Sequence, residues 1–463
     1  MKCIYLCALL FLPSCMIGPK YRKPDIKVPN SYSEQPCTAV TAELAHWWTF
    51  FEDSELNNLI KKAIGGNFDL RIAMEKIEEA RALYRIQEAN LFPEIDLDAQ
   101  YLREKNSETL NQLNSIIQNP VNFMQINFAA SWELDFWGKL RRASKAAYDL
   151  YQAQIEHMRD VYIILLADVA KTYIDMRAFQ KKAALLEQQV AVDSKLLCLS
   201  RVRFTAGIAS DIPDMEQLAA LEESKSELLL VQAQLKASRI RLAILLGENP
   251  EGFNPGNNLK PYVPRSKKEL KAGLPSDLIR RRPDIRQAER TLAAATENVG
   301  IAIAQWFPSF TLLGNFGWET NTIDSLFSGS SIAWSFGPSM SWPIITFGRI
   351  RFNIDAKKSA RRQALLAYAQ SIVSALGDVE TALVNYFNER ERLQTLQIKV
   401  GATTRERNLF MARFASGLDN QTLFLIAEKN RLQAELSATD SEQALSSYLI
   451  VAYKALGGGW EYV

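Results

Sequence analysis

Residues 139–204 read KLRRASKAAYDLYQAQIEHMRDVYIILLADVAKTYIDMRAFQKKAALLEQQVAVDSKLLCLSRVRF, without a proline or a glycine, and Gly207 closes the run. Ala, Leu, Gln, Glu, Lys and Arg dominate it, residues that lose little side-chain freedom in a helix. A helix of this length without internal caps is a coiled-coil-like rod. At 1.5 Å per residue it spans about 100 Å. Arg349 to Phe414 has the same character, broken only by Gly377 and Gly401, and it stops at Gly417. Each glycine stands where a left-handed helix terminator is expected. A second helix is expected after each stop, Pro213 to Leu246 in one case and Thr422 to Leu456 in the other. Ser210 or Asp211 is the candidate cap of the former, and Asp419 or Asn420 of the latter. The result is two long helical hairpins.

Working outward, the chain repeats itself. Asp69-Leu70-Arg71-Ile72-Ala73 has a counterpart in Asp284-Ile285-Arg286-Gln287-Ala288, 215 positions later, and Leu91-Phe92-Pro93 and Trp306-Phe307-Pro308 keep that offset. Trp132 with Phe136-Trp137-Gly138-Lys139 matches Trp342 with Thr346-Phe347-Gly348-Arg349 at an offset of 210, as do Arg203 and Gly207 with Arg413 and Gly417. The offset changes only between the aromatic-proline and tryptophan landmarks, where a loop tolerates deletion. The reading divides the chain into a signal segment at 1–14, an N-terminal segment at 15–65, a first repeat at 66–248, a linker at 249–276 and a second repeat at 277–463. The linker holds Pro250, Pro255, Pro261, Pro264 and Pro275, a loop composition.

Between the landmarks the hydrophobic period changes to two. Ile95, Leu97, Ala99 and Tyr101 alternate with Asp96, Asp98 and Gln100, while Ile126, Phe128, Ala130 and Trp132 alternate with Gln125, Asn127, Ala129 and Ser131. Phe310, Leu312, Gly314, Phe316 and Trp318 share a face, as do Ile332, Trp334, Phe336, Met340 and Trp342. Strands of about 8–11 residues with one apolar and one polar face suit a transmembrane β-barrel. Tyr101, Trp132, Trp318 and Trp342 fall toward strand ends, as an interfacial aromatic girdle does. A soluble sheet with one buried face needs a covering layer, and long rods supply none obvious. Membrane barrels need at least about eight strands and no open edge. Four strands per chain therefore require oligomerisation: two chains supply eight strands and three supply twelve.

The extreme N-terminus has Lys2 followed by an apolar stretch from Ile4 to Leu12, a signal-peptide core too short to span a bilayer. It closes on Leu12-Pro13-Ser14-Cys15, which resembles a bacterial lipoprotein signal with acylation at Cys15. The other reading is an ordinary signal peptide with a chance cysteine. Without Cys3 and Cys7, only Cys37 and Cys198 remain as a possible disulfide. Lys plus Arg total 54 against 52 Asp plus Glu, a net charge of +2 that offers no electrostatic grip on nucleic acid. His46 and His157, the only two histidines, make no triad or metal site, so no catalytic residue, cofactor or metal is expected. The run Arg280 to Arg282 before Pro283 reads as a loop-to-helix entry with solvated charges.

These landmarks resemble the outer-membrane factors of tripartite efflux systems, specifically the lipoprotein branch related to TolC and the nodulation-type transporters. The resemblance rests on Gly18-Pro19-Lys20-Tyr21 with Pro24, Trp47-Trp48 with Phe51 and Asp53, and Asp135-Phe136-Trp137-Gly138. It continues through Arg281-Arg282-Pro283-Asp284 with Ala288-Glu289 and ends on Ala455-Leu456-Gly457-Gly458-Gly459-Trp460. It implies a mainly α fold with a β-barrel portion, internally duplicated. A homotrimer would close a twelve-stranded outer-membrane barrel, with a helical tunnel below it in the periplasm and the linker around the tunnel's waist. It also implies a periplasmic adaptor and an inner-membrane pump as partners. The chain has no GxxxxGK[ST] phosphate loop, so energy would come from the pump.

The same resemblance makes the hairpin tips a gate and adaptor-docking site. Arg203, Gly207, Asp211, Arg413, Gly417 and Asp419 are the candidate residues there. Asp419 in three copies would form a carboxylate ring that attracts cations, or it simply caps the next helix. Arg203 and Arg413 sit in a last helical turn, where a cation also complements the helix dipole. Passive efflux of small molecules (drugs, toxic compounds or metal ions) is the leading expectation. A type I secretion conduit and a poreless coiled-coil envelope lipoprotein stay open beside it.

Overall fold

The computed structural model describes residues 16–460 except 27–28, 30, 33–43, 106, 108–119, 254, 256–260, 269 and 271–274. The signal segment 1–14, Cys15, Cys37, most of the loop between Arg103 and Pro120 and part of the 249–276 linker lie outside the described residues. Cys198 is a free, exposed thiol.

Two series of elements follow one another with matching lengths. The first is α2 (Phe68–Ala89, 22 residues), β1 (Glu94–Glu104), β2 (Val121–Leu134), α3 (Lys139–Thr205, 67 residues) and α4 (Ile212–Leu246, 35 residues). The second is α6 (Pro283–Ala304, 22 residues), β3 (Ser309–Thr320), β4 (Ile332–Ser341), α7 (Arg349–Ala415, 67 residues) and α8 (Gln421–Ala455, 35 residues). The short helices α1 (Ser54–Gly66) and α5 (Pro275–Arg281) precede them. Equal helix lengths in both series are the structural form of the duplication.

Local chemistry sets the ends. Asp53 caps α1, its carboxylate accepting from the N–H groups of Glu55 (2.9 Å) and Leu56 (3.0 Å). α3 and α7 both end in a Schellman motif: Ile208 N–H donates to Arg203 O (3.0 Å) and Leu418 N–H to Arg413 O (2.9 Å). Gly207 and Gly417 hold the left-handed position of that motif, each at φ 72°. The Asp211 cap expected for α4 is not made through its side chain. Pro213 removes one of the two N–H groups that such a cap could bind, and the other, that of Asp214, instead reaches the Asp211 carbonyl at 3.0 Å. Asn420, not Asp419, caps α8 by accepting from Leu423 N–H at 3.1 Å.

The chain forms two compact units, and each takes segments from both repeats. One comprises the residues up to Asp25 with Lys76–Ile155 and Gln287–Ala369. It contains a four-stranded antiparallel sheet in the order β1-β2-β3-β4. β2 of the first repeat pairs with β3 of the second, from Met124↔Thr320 to Leu134↔Phe310. β4 ends at Ser341, so Trp342 stands one residue beyond the strand in which it was expected. Beside the sheet, fully buried Arg142 pairs with Glu297 and donates to the carbonyls of Gly18 and Pro19, tying the N-terminal segment to α3 and α6.

The other unit, Ile26–Glu75, Glu156–Arg286 and Gln370–Val463, holds the main apolar core. Trp47 is buried and stacks on Tyr453 with ring centroids 5.5 Å apart. The Tyr173 hydroxyl donates to Asp53 at 3.0 Å, so the cap of α1 is also a core polar anchor. His46 packs edge-on against Trp48. The described part of the linker is engaged: Pro264 O accepts from Ser446 Oγ at 2.8 Å, and Arg265 pairs with Glu442. The Arg280–Arg282 run is not wholly solvated as expected. Arg282 is largely enclosed, pairs with Asp284 (2.8 Å) and Asp378 (3.1 Å) and donates to Ala455 O. It gains the partners that a buried guanidinium requires.

Candidate functional site: an apolar sheet face and two helical tips

One face of the sheet is apolar and exposed. Ile95, Leu97, Tyr101, Phe128, Phe316, Trp334, Phe336 and Met340 are all exposed. Their strand neighbours on the other face are Asp96, Asp98, Gln100, Gln125, Asn127, Asn315 and Ser335. A contiguous apolar patch of this kind marks contact with a partner or lipid. The polar face opposite is what the lumen of a barrel needs.

The four aromatics expected in a girdle fall toward the two ends of the strands. Trp132 lies opposite Leu312 and donates its indole N–H to Leu91 O at 2.9 Å. Trp342 donates to Trp306 O at 3.1 Å. Both therefore sit at the helix-proximal end of the strands. Tyr101 lies opposite Met124 near the other end, with its hydroxyl 3.4 Å from Asn122. Trp318 lies opposite Ile126 and packs edge-on against Phe316 and Phe327. From the level of Trp132 to Trp318 is six residues along β3, about 20 Å of strand, close to the height of an outer-membrane apolar band. β1 and β4 each have one unpaired edge within the described sheet. Among the described residues no helix is long and apolar enough to cross a membrane.

The second candidate region is the pair of turns after α3 and α7. Arg413 chelates Asp419 through two nitrogens, one of them 3.1 Å from Oδ1. The hydrogen bond from Arg413 holds the Asp419 carboxyl below the usual carboxylate range, outweighing partial desolvation. Reciprocally, the bond to Asp419 raises Arg413. The first turn lacks this clasp because Ala209 stands where the second has Asp419. Arg203 is exposed, and Asp214 in the first turn of α4 pairs with Arg201 at 3.5 Å. Asp211 is exposed and contributes its carbonyl to the α4 start. Among the described residues no cluster of three or more His, Cys, Asp or Glu is arranged to hold a metal.

Sequence reasoning overlooked an apolar crown on these tips. Ile208 is 78% exposed and Leu418 71%, at equivalent positions directly after the two glycines. In most Schellman motifs that residue packs back on its helix. The signal was available: an aliphatic side chain follows the glycine in both repeats.

Residues 59–248 and 274–458 match the outer membrane efflux protein family. Outer membrane protein OprJ of Pseudomonas aeruginosa is 30% identical over 98% of this chain and 94% of its own length. Cation efflux system protein CusC of Escherichia coli is 30% identical over 99% of both. The structure of the open state of the Neisseria gonorrhoeae MtrE outer membrane channel superposes with a TM-score of 0.85 at 27% identity, covering 96% of this chain and 99% of that one. With the repeats, the apolar-faced sheet and the long hairpins in place, the chain belongs to the outer membrane efflux protein family.

Proposed function

We propose that three copies of the chain close one twelve-stranded barrel and conduct small molecules passively outward, received from an inner-membrane pump through a periplasmic adaptor. The observation that carries this reading is the four-stranded sheet, with both edges unpaired among the described residues and its apolar face exposed. In hydrocarbon, unpaired strand edges are not tolerated, so the sheet must close. Two copies would make eight strands, and a barrel that narrow is filled by its own side chains. Three copies are the smallest ring with room for cargo.

The polar strand faces then line the lumen, and Tyr101, Trp132, Trp318 and Trp342 form the interfacial girdles. Acylation at Cys15 tethers the chain to the membrane. The tips around Arg203, Gly207, Asp211, Arg413, Gly417 and Asp419 form the periplasmic entrance, and the crown of Ile208 and Leu418 docks the adaptor. Relatives carry names that include cation efflux and toluene efflux. A passive duct of this kind takes the cargo that its pump selects. Purified protein in planar bilayers is expected to conduct ions, with a native mass of three chains. A monomer that never conducts would refute the reading.

A further inference from the structure

The polar face of the sheet carries one sign of charge. The ladders place Glu94, Asp96, Asp98, Glu104, Glu133 and Glu319 on it, and no lysine or arginine of the four strands shares that face. One place on this face is hollow. Gly317 and Ala333 lie opposite one another on β3 and β4, so two facing positions supply a single methyl group between them. The hollow measures about 190 Å³, and Gln125, Asn127, Asn315, Glu319 and Ser335 stand around it.

The duplication shows that strand geometry does not require this hollow. Shifting Gly317↔Ala333 by the offsets of 215 and 210 gives Leu102↔Phe123, a pair that is also observed, and there two large side chains fill the position. At Gly317 a side chain is excluded, because a Cβ would fall 2.2 Å from Ile126 O and 2.5 Å from Asn127 Cα. Asn127 lies directly across from Gly317 on β2. It is 9% exposed, and its Oδ1 is buried with no hydrogen-bond partner among the described residues. A donor entering the hollow would remove the penalty of that unpaired oxygen. Gln125 opposes Glu319 across β2 and β3, and Asp98 opposes Asn127 from β1, so carboxylates stand beside the amides. On the β4 side Asn315 donates to Ser335 at 3.4 Å.

We infer that this hollow binds the primary ammonium group of a small organic cation. Such a group brings three N–H donors. Asn127 Oδ1, the amide oxygen of Gln125 and the Glu319 carboxylate are the acceptors that receive them. One carboxylate on the rim balances one positive charge. A hard divalent ion is a poorer match, because it calls for more oxygen ligands and more negative charge than this rim supplies. A quaternary ammonium has no N–H to give to Asn127. That the hollow meets cargo rests on the ring proposed above, in which this face lines the lumen; the site itself lies within one chain.

Titration of the detergent-solubilised full-length protein with n-butylammonium, followed by saturation-transfer NMR, tests it, with tetramethylammonium as the control of equal charge. The wild type is expected to bind n-butylammonium at least about tenfold more tightly than tetramethylammonium, the loss expected when a buried acceptor stays unpaired. Asn127→Ala removes the buried acceptor, Glu319→Gln removes the charge, and Ala333→Leu fills the hollow while leaving both in place. Each is expected to weaken n-butylammonium to the level of the control, with the native mass of the wild type retained. Equal affinity of the wild type for the two cations, or wild-type affinity in Asn127→Ala and Ala333→Leu, overturns the site. Displacement of n-butylammonium by equimolar Ca²⁺ would assign the hollow to a divalent ion and overturn the inference as well. A native mass of one chain with the preference intact refutes the ring and leaves the site standing. A native mass of three chains without the preference does the reverse.

Discussion

Arg413 and Asp419 show how a single pair separates the two tips of a duplicated chain. Arg203 lacks the partner that Arg413 has, because Ala209 offers no carboxylate. Both partners of the clasp lie at an exposed turn, so little global stability depends on it. Its effect belongs to tip conformation. Asp419→Asn is expected to raise the conductance of the assembled protein in planar bilayers. Asp419 has a depressed pKa in the fold, so the stabilisation it lends is present above the ordinary carboxylate pKa of about 4 and fades as pH falls through the lower folded value. Wild-type conductance should therefore approach that of the variant only below the usual carboxylate range. Equal conductance of the two proteins at neutral pH would show that the clasp does not constrain the entrance.

Elements hold their alignment through buried polar groups set among the apolar contacts. Asp193 on α3 is fully buried, pairs with Lys429 on α8 at 2.8 Å and accepts from Ser224 on α4 at 2.6 Å. Three helices thus meet at one carboxylate, between turns of otherwise repetitive sequence. A long helix can slide by a turn against its neighbour and still bury apolar surface, and a buried polar contact penalises that slip. Asp193→Ala leaves the Lys429 ammonium without its partner and is expected to cost about 3–5 kcal/mol. Adding Lys429→Met should recover much of the loss, because the uncompensated charge is gone. Thermal unfolding of the two variants checks the order; a double variant less stable than Asp193→Ala would contradict it.

At the scale of the whole molecule, an isolated chain is an unfinished structure. Among the described residues, its sheet carries two open edges, and the side chains of its apolar face are exposed. Phe336→Lys places a charge on the apolar face of edge strand β4, opposite Gly314 and so between the two aromatic levels, at a cost of about 2–4 kcal/mol at mid-membrane depth. The expected outcome is loss of the three-chain species from membranes, read by native gel, with the helical content of the solubilised chain retained in circular dichroism. Undiminished assembly would mean that this face does not meet lipid.

The chain's own order of residues determined the helical rods, their glycine stops, the alternating strands and the duplication. Those features are written in local periodicity and backbone preference, which need no distant partner. The match between α3 and α7 was legible as an unchanged glycine-to-glycine spacing. Tertiary structure alone decided that β2 joins β3 across the repeats, that Asn420 caps α8 while Asp419 turns to Arg413, and that Arg282 is enclosed by Asp284 and Asp378. Each of these is a choice among chemically equivalent candidates. It is settled by which backbone and side chains happen to face one another after folding, and a linear pattern carries no such distances.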